Sequence, residues 1–335
     1  MLLSGASGFL GSALVRELHG RGARIHATFR SGSRIEHLTA FPIQWHLAEL
    51  EDATALHAAF QSAGEEARSA GRRFDAINSA ALISYRRADV ERSRRVNVEG
   101  THNVLEAALH SGVQRLCHIS SVVACGHATR ADRRIDEEHP FNGAGLRSAY
   151  VTTKRGAEVL ALAMKTPPEV VVCLPGAIFG PSPAGSNTTR LLRRIEKGTL
   201  GPFAPPGSLS VVGVGCVARG VCLALERGRP GRRYLLCESN LRHVELFWMA
   251  ASALGVRGPR RTFHPLLWRL VTGVAGLLDR LVPAQEATPE ALRLLGTHFR
   301  FDASRARKEL GWQPRPFSEV LEETVSWMRR SSTES

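Results

Sequence analysis

The sequence places a tyrosine and a lysine four positions apart, at Tyr150 and Lys154. On a helix, this spacing puts the phenol and the ammonium on the same face. The 335 residues include only three tyrosines and four lysines, so the pair is improbable by chance. Because an ammonium favours the phenolate, it lowers the pKa of a nearby phenol from its usual value of about 10. The pair is therefore predicted to donate or accept a proton near neutral pH.

Two hydroxyl residues, Ser120 and Ser121, follow an apolar run that ends at Ile119. Open parallel sheets bind ligands at the carboxyl ends of their strands, and this run is predicted to be such a strand. Ser121 would there hold a substrate carbonyl oxygen against the Tyr150 phenol. A Ser-Ser pair at a strand end is by itself more typical of a turn or a helix cap. Its assignment to a site depends on Tyr150 and on a glycine-rich loop.

That loop lies near the start of the chain, where LLSGASGFLG covers residues 2–11. A short strand, a glycine-rich turn and an amphipathic helix follow one another directly. Such glycines let the backbone approach a pyrophosphate, and the helix N-terminus supplies unpaired N–H donors. The short first strand leaves open a true start upstream of Met1. The loop predicts a dinucleotide site formed by Gly5, Ser7, Gly8, Phe9, Leu10 and Gly11.

The residue after the second predicted strand bears on which dinucleotide binds. An NAD site carries an acid about 20 residues after the glycines, against the ribose 2′-hydroxyl. This chain has Arg30 there, followed by Ser31 and Ser33. A guanidinium and hydroxyls suit a 2′-phosphate, which a carboxylate would repel. NADP(H) is predicted in preference to NAD(H), although Arg30 could also be one more surface arginine of an arginine-rich chain.

The elements that must position these residues alternate along the first half of the chain. Strands are predicted at 1–4, 24–29, 43–47, 75–78, 115–119 and 169–174. Helices are predicted near 9–21, 52–63, 89–111 and 147–164. The alternation of short apolar runs with helical patterns predicts an α/β fold, a Rossmann doubly wound parallel sheet.

Beyond residue 175 the alternation of strands and helices gives way to Gly/Pro-rich segments with helices between them. These helices are predicted near 187–197, 217–227, 243–254, 265–281, 302–310 and 317–329. We predict an NADP-binding Rossmann domain over 1–175 and a smaller, mostly helical substrate-binding lobe over 176–335. The segment at about 217–237 is expected to return to the Rossmann domain.

The ordered motifs resemble those of an extended short-chain dehydrogenase/reductase of the epimerase/dehydratase-like superfamily. They are GASGFLG, INSAA (77–81), RVNVEGTHNVLEAA (95–108), HISSVVACG (118–126), YVTTK (150–154), LPGAIFGP (174–181) and FDASRARKELGWQPR (301–315). The resemblance implies a catalytic triad of Ser121, Tyr150 and Lys154, a structural role for Asn97, and a nicotinamide-ribose contact from Lys154. It implies further cofactor contacts from Glu49, Leu50, Ser79, Ala80, Ala81, Ser120, Tyr150, Pro175, Gly176 and Ile178.

Departures from the superfamily patterns bear on the substrate. Val122 and Val123 stand where sugar-nucleotide 4,6-dehydratases carry Asp-Glu, and Leu174 replaces an arginine usual in epimerases. The ATFR segment at 27–30 resembles dihydroflavonol reductases and 3β-hydroxysteroid dehydrogenases, whose substrates are apolar ketones or alcohols. We predict NADP(H)-dependent reduction of a ketone, or oxidation of the alcohol, of a largely apolar small molecule. Two alternatives remain: a sugar-nucleotide epimerase/dehydratase with tightly bound NAD(P), and a non-catalytic NADP-binding regulator.

Composition limits the partners. The net charge of +13 comes from scattered arginines with no long basic run, so no nucleic-acid partner is predicted. None of the six cysteines forms a CxxC pair, and no metal site is predicted. Cys117, Cys173 and Cys237 lie in apolar runs typical of buried reduced thiols. Together with the lack of a recognisable secretion signal, this predicts a cytoplasmic location.

Two surfaces are expected to make contacts. The apolar helix at about 265–281 contains Arg269, Asp279 and Arg280, so its uncharged run is shorter than the roughly 18 residues of a membrane span. No transmembrane span is predicted, but peripheral membrane contact through this helix is considered, beside the alternative of an ordinary helix of the smaller lobe. The helices at 89–111 and 147–164 resemble those that pair in dimers of the superfamily, which predicts a homodimer.

Overall fold

A computed structural model describes residues 1–164, 167–279 and 288–333. Its strands, in chain order, are β1 (Leu2–Ser4), β2 (Ile25–Phe29), β3 (Ile43–Leu47), β4 (Asp75–Asn78), β5 (Arg115–Ile119), β6 (Glu169–Pro175), β7 (Ala177–Phe179), β8 (Phe203–Ala204), β9 (Ser208–Gly213), β10 (Arg233–Leu236), β11 (Ser239–Arg242) and β12 (Arg261–Thr262). Its α-helices are α1 (Phe9–Gly20), α2 (Ala53–Ser69), α3 (Val90–Arg94), α4 (Gly100–His110), α5 (Ala149–Ala163), α6 (Asn187–Glu196), α7 (Val214–Arg227), α8 (His243–Leu254), α9 (Pro265–Leu278), α10 (Pro289–Leu295), α11 (Ser304–Leu310) and α12 (Phe317–Thr333).

A seven-stranded sheet forms the centre of the molecule, in the order β10-β6-β5-β4-β1-β2-β3. Its neighbouring strands are all parallel, and β1 lies between β2 and β4, with Leu3 paired to Ala27 and Ile77. Helices cover both faces, so the inner strands are buried on both sides rather than alternating, as in β5 and in β6 after Glu169. The predicted Rossmann α/β fold with a helical C-terminal region is confirmed.

The segment at 217–237 contributes to the central sheet and to the helices that cover it. Helix α7 packs against α1, and β10 extends the central sheet beside β6. A smaller sheet, β11-β9-β7, lies beyond the carboxyl end of β6, and its core includes Phe179, Leu246 and Phe317. The division of the chain at residue 175 stays a prediction.

Several elements differ from their predicted bounds. The helix predicted at 89–111 is interrupted: α3 and α4 flank a π-helical turn at Arg95–Glu99. Helix α2 runs to Ser69, well past the predicted end at residue 63. Residues 280–281 of the helix predicted at 265–281 lie outside the described residues. No helix in the described ranges has the length and hydropathy needed to cross a bilayer.

Candidate functional site

The glycine-rich loop folds tightly between β1 and α1. Gly5 has φ +76°, and a Cβ atom there would lie 2.8 Å from the Ala80 backbone. A Cβ on Gly11 would lie 1.9 Å from the Gly5 carbonyl oxygen, so both positions require glycine. Helix α1 begins after Gly8, whose lack of a side chain leaves the first N–H groups uncapped. This cradle fits a pyrophosphate, because backbone donors and the helix dipole point to one place.

The loop that follows β4 lies against this cradle. The Ser79 amide donates to the Ser4 carbonyl oxygen at 3.2 Å, and the Ala80 amide donates to the Ser4 hydroxyl at 3.4 Å. Ala81, next along, is exposed. The structure therefore brings together the predicted cofactor residues after β1 and β4, at the carboxyl edge of the sheet.

The predicted adenosine-side residues lie at the ends of β2 and β3. Arg30 directly follows β2, and its side chain is exposed. Glu49 is also exposed, whereas Leu50 is buried and its carbonyl oxygen accepts a 2.9 Å hydrogen bond from Asn103 Nδ2. Because β2 and β3 are parallel neighbours, these residues lie at the same edge as the glycine loop.

Helix α5 carries Tyr150 and Lys154, and both side chains are buried. The Ser148 hydroxyl caps the helix by accepting the Val151 amide at 3.2 Å, which fixes where the first turn begins. The Ser121 hydroxyl acts to lower the pKa of the Tyr150 phenol, so Ser121, after β5, and Tyr150, on α5, lie close together.

The electrostatics of the pair differ from the expectation. Burial raises the pKa of the Tyr150 phenol, and the hydrogen bond from Ser121 opposes this rise. The lowering expected from Lys154 does not prevail, because burial is the largest effect on the phenol. Lys154 Nζ donates to the Ile119 carbonyl oxygen at 2.6 Å. Burial also lowers the pKa of Lys154 to about 8, against the opposing effect of Glu158. At neutral pH, Tyr150 therefore holds a proton that it can give away.

Asn97 ties the loop after β4 to helix α5. Its Oδ1 accepts the Leu82 amide at 2.7 Å, and its Nδ2 donates to the Leu82 carbonyl oxygen at 3.0 Å and to Thr153 Oγ1 at 3.1 Å. Asn97 lies within the π-helical turn. The π-helical turn thus places the Asn97 side-chain amide where it hydrogen-bonds both the loop after β4 and helix α5. Such turns often occur near functional sites.

Two acidic residues that the sequence did not indicate also support the site. Glu158 is fully buried: it accepts the Ser120 hydroxyl at 2.7 Å and pairs with Arg155 at 2.7 Å and Arg233 at 3.0 Å. Its position four residues after Lys154, on the same helical face, is the signal that could have found it. Glu290, on α10, accepts the Ser148 hydroxyl at 2.5 Å and the Tyr150 amide at 3.4 Å.

Tyr85 and the chain after β6 complete the surroundings. The Tyr85 and Tyr150 rings pack edge to face, with centroids 5.7 Å apart, and burial raises the pKa of the Tyr85 phenol. Pro175 ends β6, and the Gly176 amide donates to the Leu236 carbonyl oxygen at 3.2 Å. Ile178 lies on β7, beyond that carboxyl end. Of these residues, Tyr85 bounds the space next to the Tyr150 phenol.

The match to known proteins decides the family. Residues 1–237 fit the family model described as "NAD dependent epimerase/dehydratase family". The chain belongs to this family. Within it, the chain is an extended short-chain dehydrogenase/reductase, as the motifs predicted, and hence an NAD(P)-binding enzyme with a Rossmann fold.

Relatives of this epimerase/dehydratase-family chain extend over nearly its whole length. It is 30% identical to a "4-hydroxy-2-methyl-3-oxo-4-farnesyl-3,4-dihydroquinoline-1-oxide ketoreductase" of Stigmatella aurantiaca, over 93% of this chain and 91% of the relative. It is 29% identical to "Sterol demethylase protein B" of Methylococcus capsulatus, over 98% of both chains. The crystal structure of gox2253 superimposes with a TM-score of 0.84 at 28% identity, over 98% of both chains.

Proposed function

We propose that this enzyme reduces a ketone on a largely apolar small molecule with NADP(H), or oxidises the corresponding alcohol. The position of Ser121 close to the buried Tyr150 phenol, which lies one helical turn before Lys154, carries the proposal. Both relatives described above support the substrate class, because their names refer to a sterol and to a farnesyl-substituted quinoline ketone. We retain NADP(H) over NAD(H) because Arg30 is exposed at the end of β2.

In this mechanism the protein supplies binding, orientation and a proton. The amides of the glycine loop would hold the pyrophosphate, Arg30 the 2′-phosphate and Lys154 the nicotinamide ribose. When bound, the reduced nicotinamide supplies the hydride that the ketone carbon receives. The Ser121 hydroxyl donates a hydrogen bond to the carbonyl oxygen and orients it towards the phenol.

Tyr150 then gives its proton to the developing alkoxide oxygen. The phenol is suited to this role because burial raises its pKa and keeps it protonated at neutral pH. The charged Lys154 stabilises the phenolate left behind, which recovers a proton from solvent. In the direction of alcohol oxidation, the same phenolate would accept the hydroxyl proton.

The surroundings of the triad disfavour sugar dehydration. Val122 and Val123, at the positions after Ser121, are buried in a 3-10 turn and offer neither an acid nor a base. Elimination of water needs such groups, whereas ketone reduction needs only the phenol and Ser121. The family also includes epimerases, and an epimerase that recycles its hydride internally is the second candidate.

The decisive experiment compares Tyr150→Phe with Tyr234→Phe. Both exchanges remove one phenolic hydroxyl, but Tyr234 lies on β10, where its hydroxyl donates to Glu309 at 2.9 Å. With NADPH and a panel of polycyclic and isoprenoid ketones, loss of reduced-nicotinamide absorbance measures turnover. We expect Tyr150→Phe to lose at least about 99% of kcat while retaining NADPH affinity. Tyr234→Phe should keep its kcat.

The same panel distinguishes the other functions. Product that forms from a sugar nucleotide without added NADPH, with a dinucleotide that copurifies, would support the epimerase instead. NADPH binding without turnover of any ketone would support the non-catalytic regulator. Full activity of Tyr150→Phe would overturn the proposed mechanism.

A further inference from the structure

Helix α9 exposes an apolar face to solvent. Seven of its side chains are between 41% and 66% exposed: Leu266, Leu267, Leu270, Val271, Val274, Leu277 and Leu278. Their spacing of three, four and one residues places them along one side of the helix. A continuous apolar face of this kind on a globular protein marks an interaction surface.

The opposite side of α9 is anchored to the rest of the molecule. Within α9, Trp268 is buried, and its Nε1 donates to the Leu292 carbonyl oxygen of α10 at 3.0 Å. A Cβ atom on Gly296 would lie 2.8 Å from the Trp268 ring, so the indole is closely held. The helix is therefore fixed with its apolar face outward.

A basic groove adjoins this helix. Arg257, Arg260 and Arg261 line it together with Trp248 and Phe203, and its volume is about 850 Å³. Trp248 is 56% exposed and Phe203 is 38% exposed. Ring contacts connect the groove to α9, because Phe203 packs on Phe263 at 5.3 Å and Phe263 packs on Trp268 at 5.4 Å. The groove thus lies next to the anchored side of α9.

The groove and α9 are also unusual in charge. Residues 246–278 include Arg257, Arg260, Arg261 and Arg269 but no aspartate or glutamate. All four arginines are exposed. Glu245 and Asp279 flank this stretch, and Asp279 ends α9. Exposed leucines beside arginines and a tryptophan, with few acids, are the composition of helices that lie in the interface of an anionic bilayer.

We propose that α9 and the basic groove, together called the α9 surface, dock the protein on membranes that contain anionic phospholipids. The leucines and valines of α9 enter the boundary between headgroups and acyl chains, and the arginines bind lipid phosphates. A second copy of the chain fits less well, because a two-fold contact would bring the same arginines close to one another. An anionic bilayer neutralises them.

Docking would place the enzyme's site close to the bilayer. Helix α10 contacts α9, and its Glu290 accepts the Ser148 hydroxyl and the Tyr150 amide. Arg293 of α10 donates to the Leu146 carbonyl oxygen at 3.2 Å, just before the catalytic helix. An apolar ketone dissolved in the bilayer would then reach Tyr150 over a short path. The delivery of a ketone from the bilayer to Tyr150 rests on the proposed function, but the docking itself does not.

The test measures vesicle binding of the purified protein without substrate or cofactor. Sedimentation with vesicles of phosphatidylglycerol and phosphatidylcholine is compared with vesicles of phosphatidylcholine alone. We expect binding to the anionic vesicles that weakens as salt rises. The double variant Leu270→Gln/Val274→Gln and the double variant Arg257→Gln/Arg260→Gln should each bind at least about tenfold more weakly.

Matched controls keep the result specific. Leu109→Gln and Arg72→Gln change an exposed leucine and an exposed arginine elsewhere, and both should bind as the parent protein does. Equal binding by all variants, or no preference for anionic vesicles, would overturn the proposal. So would a solution dimer that the Leu270→Gln/Val274→Gln variant loses, because a second copy would then cover α9. Absence of vesicle binding by the parent protein, with its ketone reduction intact, would refute the docking alone.

Discussion

The charge of Lys154 is expected to set the alkaline limit of the enzyme. Burial lowers the pKa of Lys154 to about 8, and Glu158 opposes this effect. Above that pH the lysine is neutral and no longer stabilises the Tyr150 phenolate. Ketone reduction should therefore slow as the pH rises through about 8. Removing the negative charge with Glu158→Gln should lower the pKa of Lys154 further, so the decline begins at a lower pH.

The pH dependence of kcat/KM for both proteins measures this shift. Glu106 is exposed on α4, and Glu106→Gln serves as the control. It should leave the pH dependence of kcat/KM unchanged. A purely structural role for Glu158 would reduce activity equally at every pH. An alkaline limit that stays fixed or moves upward in Glu158→Gln contradicts the effect of Glu158 on the pKa of Lys154.

Arg30 should determine the choice between the two dinucleotides. A hydrogen bond to a charged group contributes about 1.5 to 3 kcal/mol, so Arg30→Ala should raise the KM for NADPH about tenfold or more. The KM for NADH, which lacks the 2′-phosphate, should change little. Steady-state kinetics with both cofactors, beside the exposed Arg72→Ala control, measure this difference. A preference for NADH in the parent protein would show that Arg30 is an ordinary surface residue.

How far single residues can be predicted depends on how far apart their partners lie in the chain. Tyr150 and Lys154 are four positions apart, and the helix alone brings them to one face. Glu290 is 142 residues from Ser148, and only the packing of α10 against the start of α5 brings the two together. No local pattern in the sequence contains that contact.

At the level of elements, the glycine loop and α1 depend on close backbone packing. Gly11→Ala would place a Cβ 1.9 Å from the Gly5 carbonyl oxygen, so the loop and the helix must separate. We expect loss of stability and of NADPH affinity, measured by thermal unfolding and by cofactor fluorescence. Gly20→Ala is the control in the same helix, because a Cβ at Gly20 has no neighbour within 4 Å. That variant should bind NADPH normally and gain up to about 1 kcal/mol from helix propensity.

The elements themselves were predictable to different degrees. The inner strands β5 and β6 are buried except for Glu169, so the apolar runs within them mark them in the sequence. Strand β11 reads SNLR and is only partly buried, and its pairing with β9 defines it as a strand. The π-helical turn at Arg95–Glu99 was not predicted either, because the segment RVNVE contains no glycine or proline that would interrupt a helix.

At the scale of the whole molecule, the arginines explain more than the net charge does. Many pair with carboxylates within the described ranges: Arg21 with Glu17, Arg115 with Glu169, and Arg315 with Glu323. These scattered pairs are typical of a surface rich in arginine and contribute little stability each. The α9 surface differs because its arginines occur in a stretch of sequence without acids. The distribution of the charge, more than its total of +13, therefore indicates where an anionic partner would bind.

Buried histidines should make the whole fold sensitive to acid. Burial lowers the pKa of His243 from 6.5 to about 4, and it also lowers the pKa values of His118, His26 and His298. Between the pKa of His243 in the unfolded chain, 6.5, and its pKa in the fold, about 4, the unfolded chain binds a proton that the folded chain does not. The free energy of unfolding therefore falls as the pH drops through this range. His243 alone should cost about 2 kcal/mol at about pH 5.

Urea unfolding at about pH 7 and about pH 5 tests this dependence. His243 is the first residue of α8, and its ring packs against the Phe247 ring with centroids 5.9 Å apart. His243→Gln removes this imidazole. The loss of stability between the two pH values should be smaller in this variant by about 2 kcal/mol, whatever the exchange costs at neutral pH. His102→Gln, at an exposed position of α4, shares the same change in net charge and should keep the parent's dependence. Equal dependence in both variants would mean that general charge repulsion, rather than a buried neutral imidazole, destabilises the protein in acid.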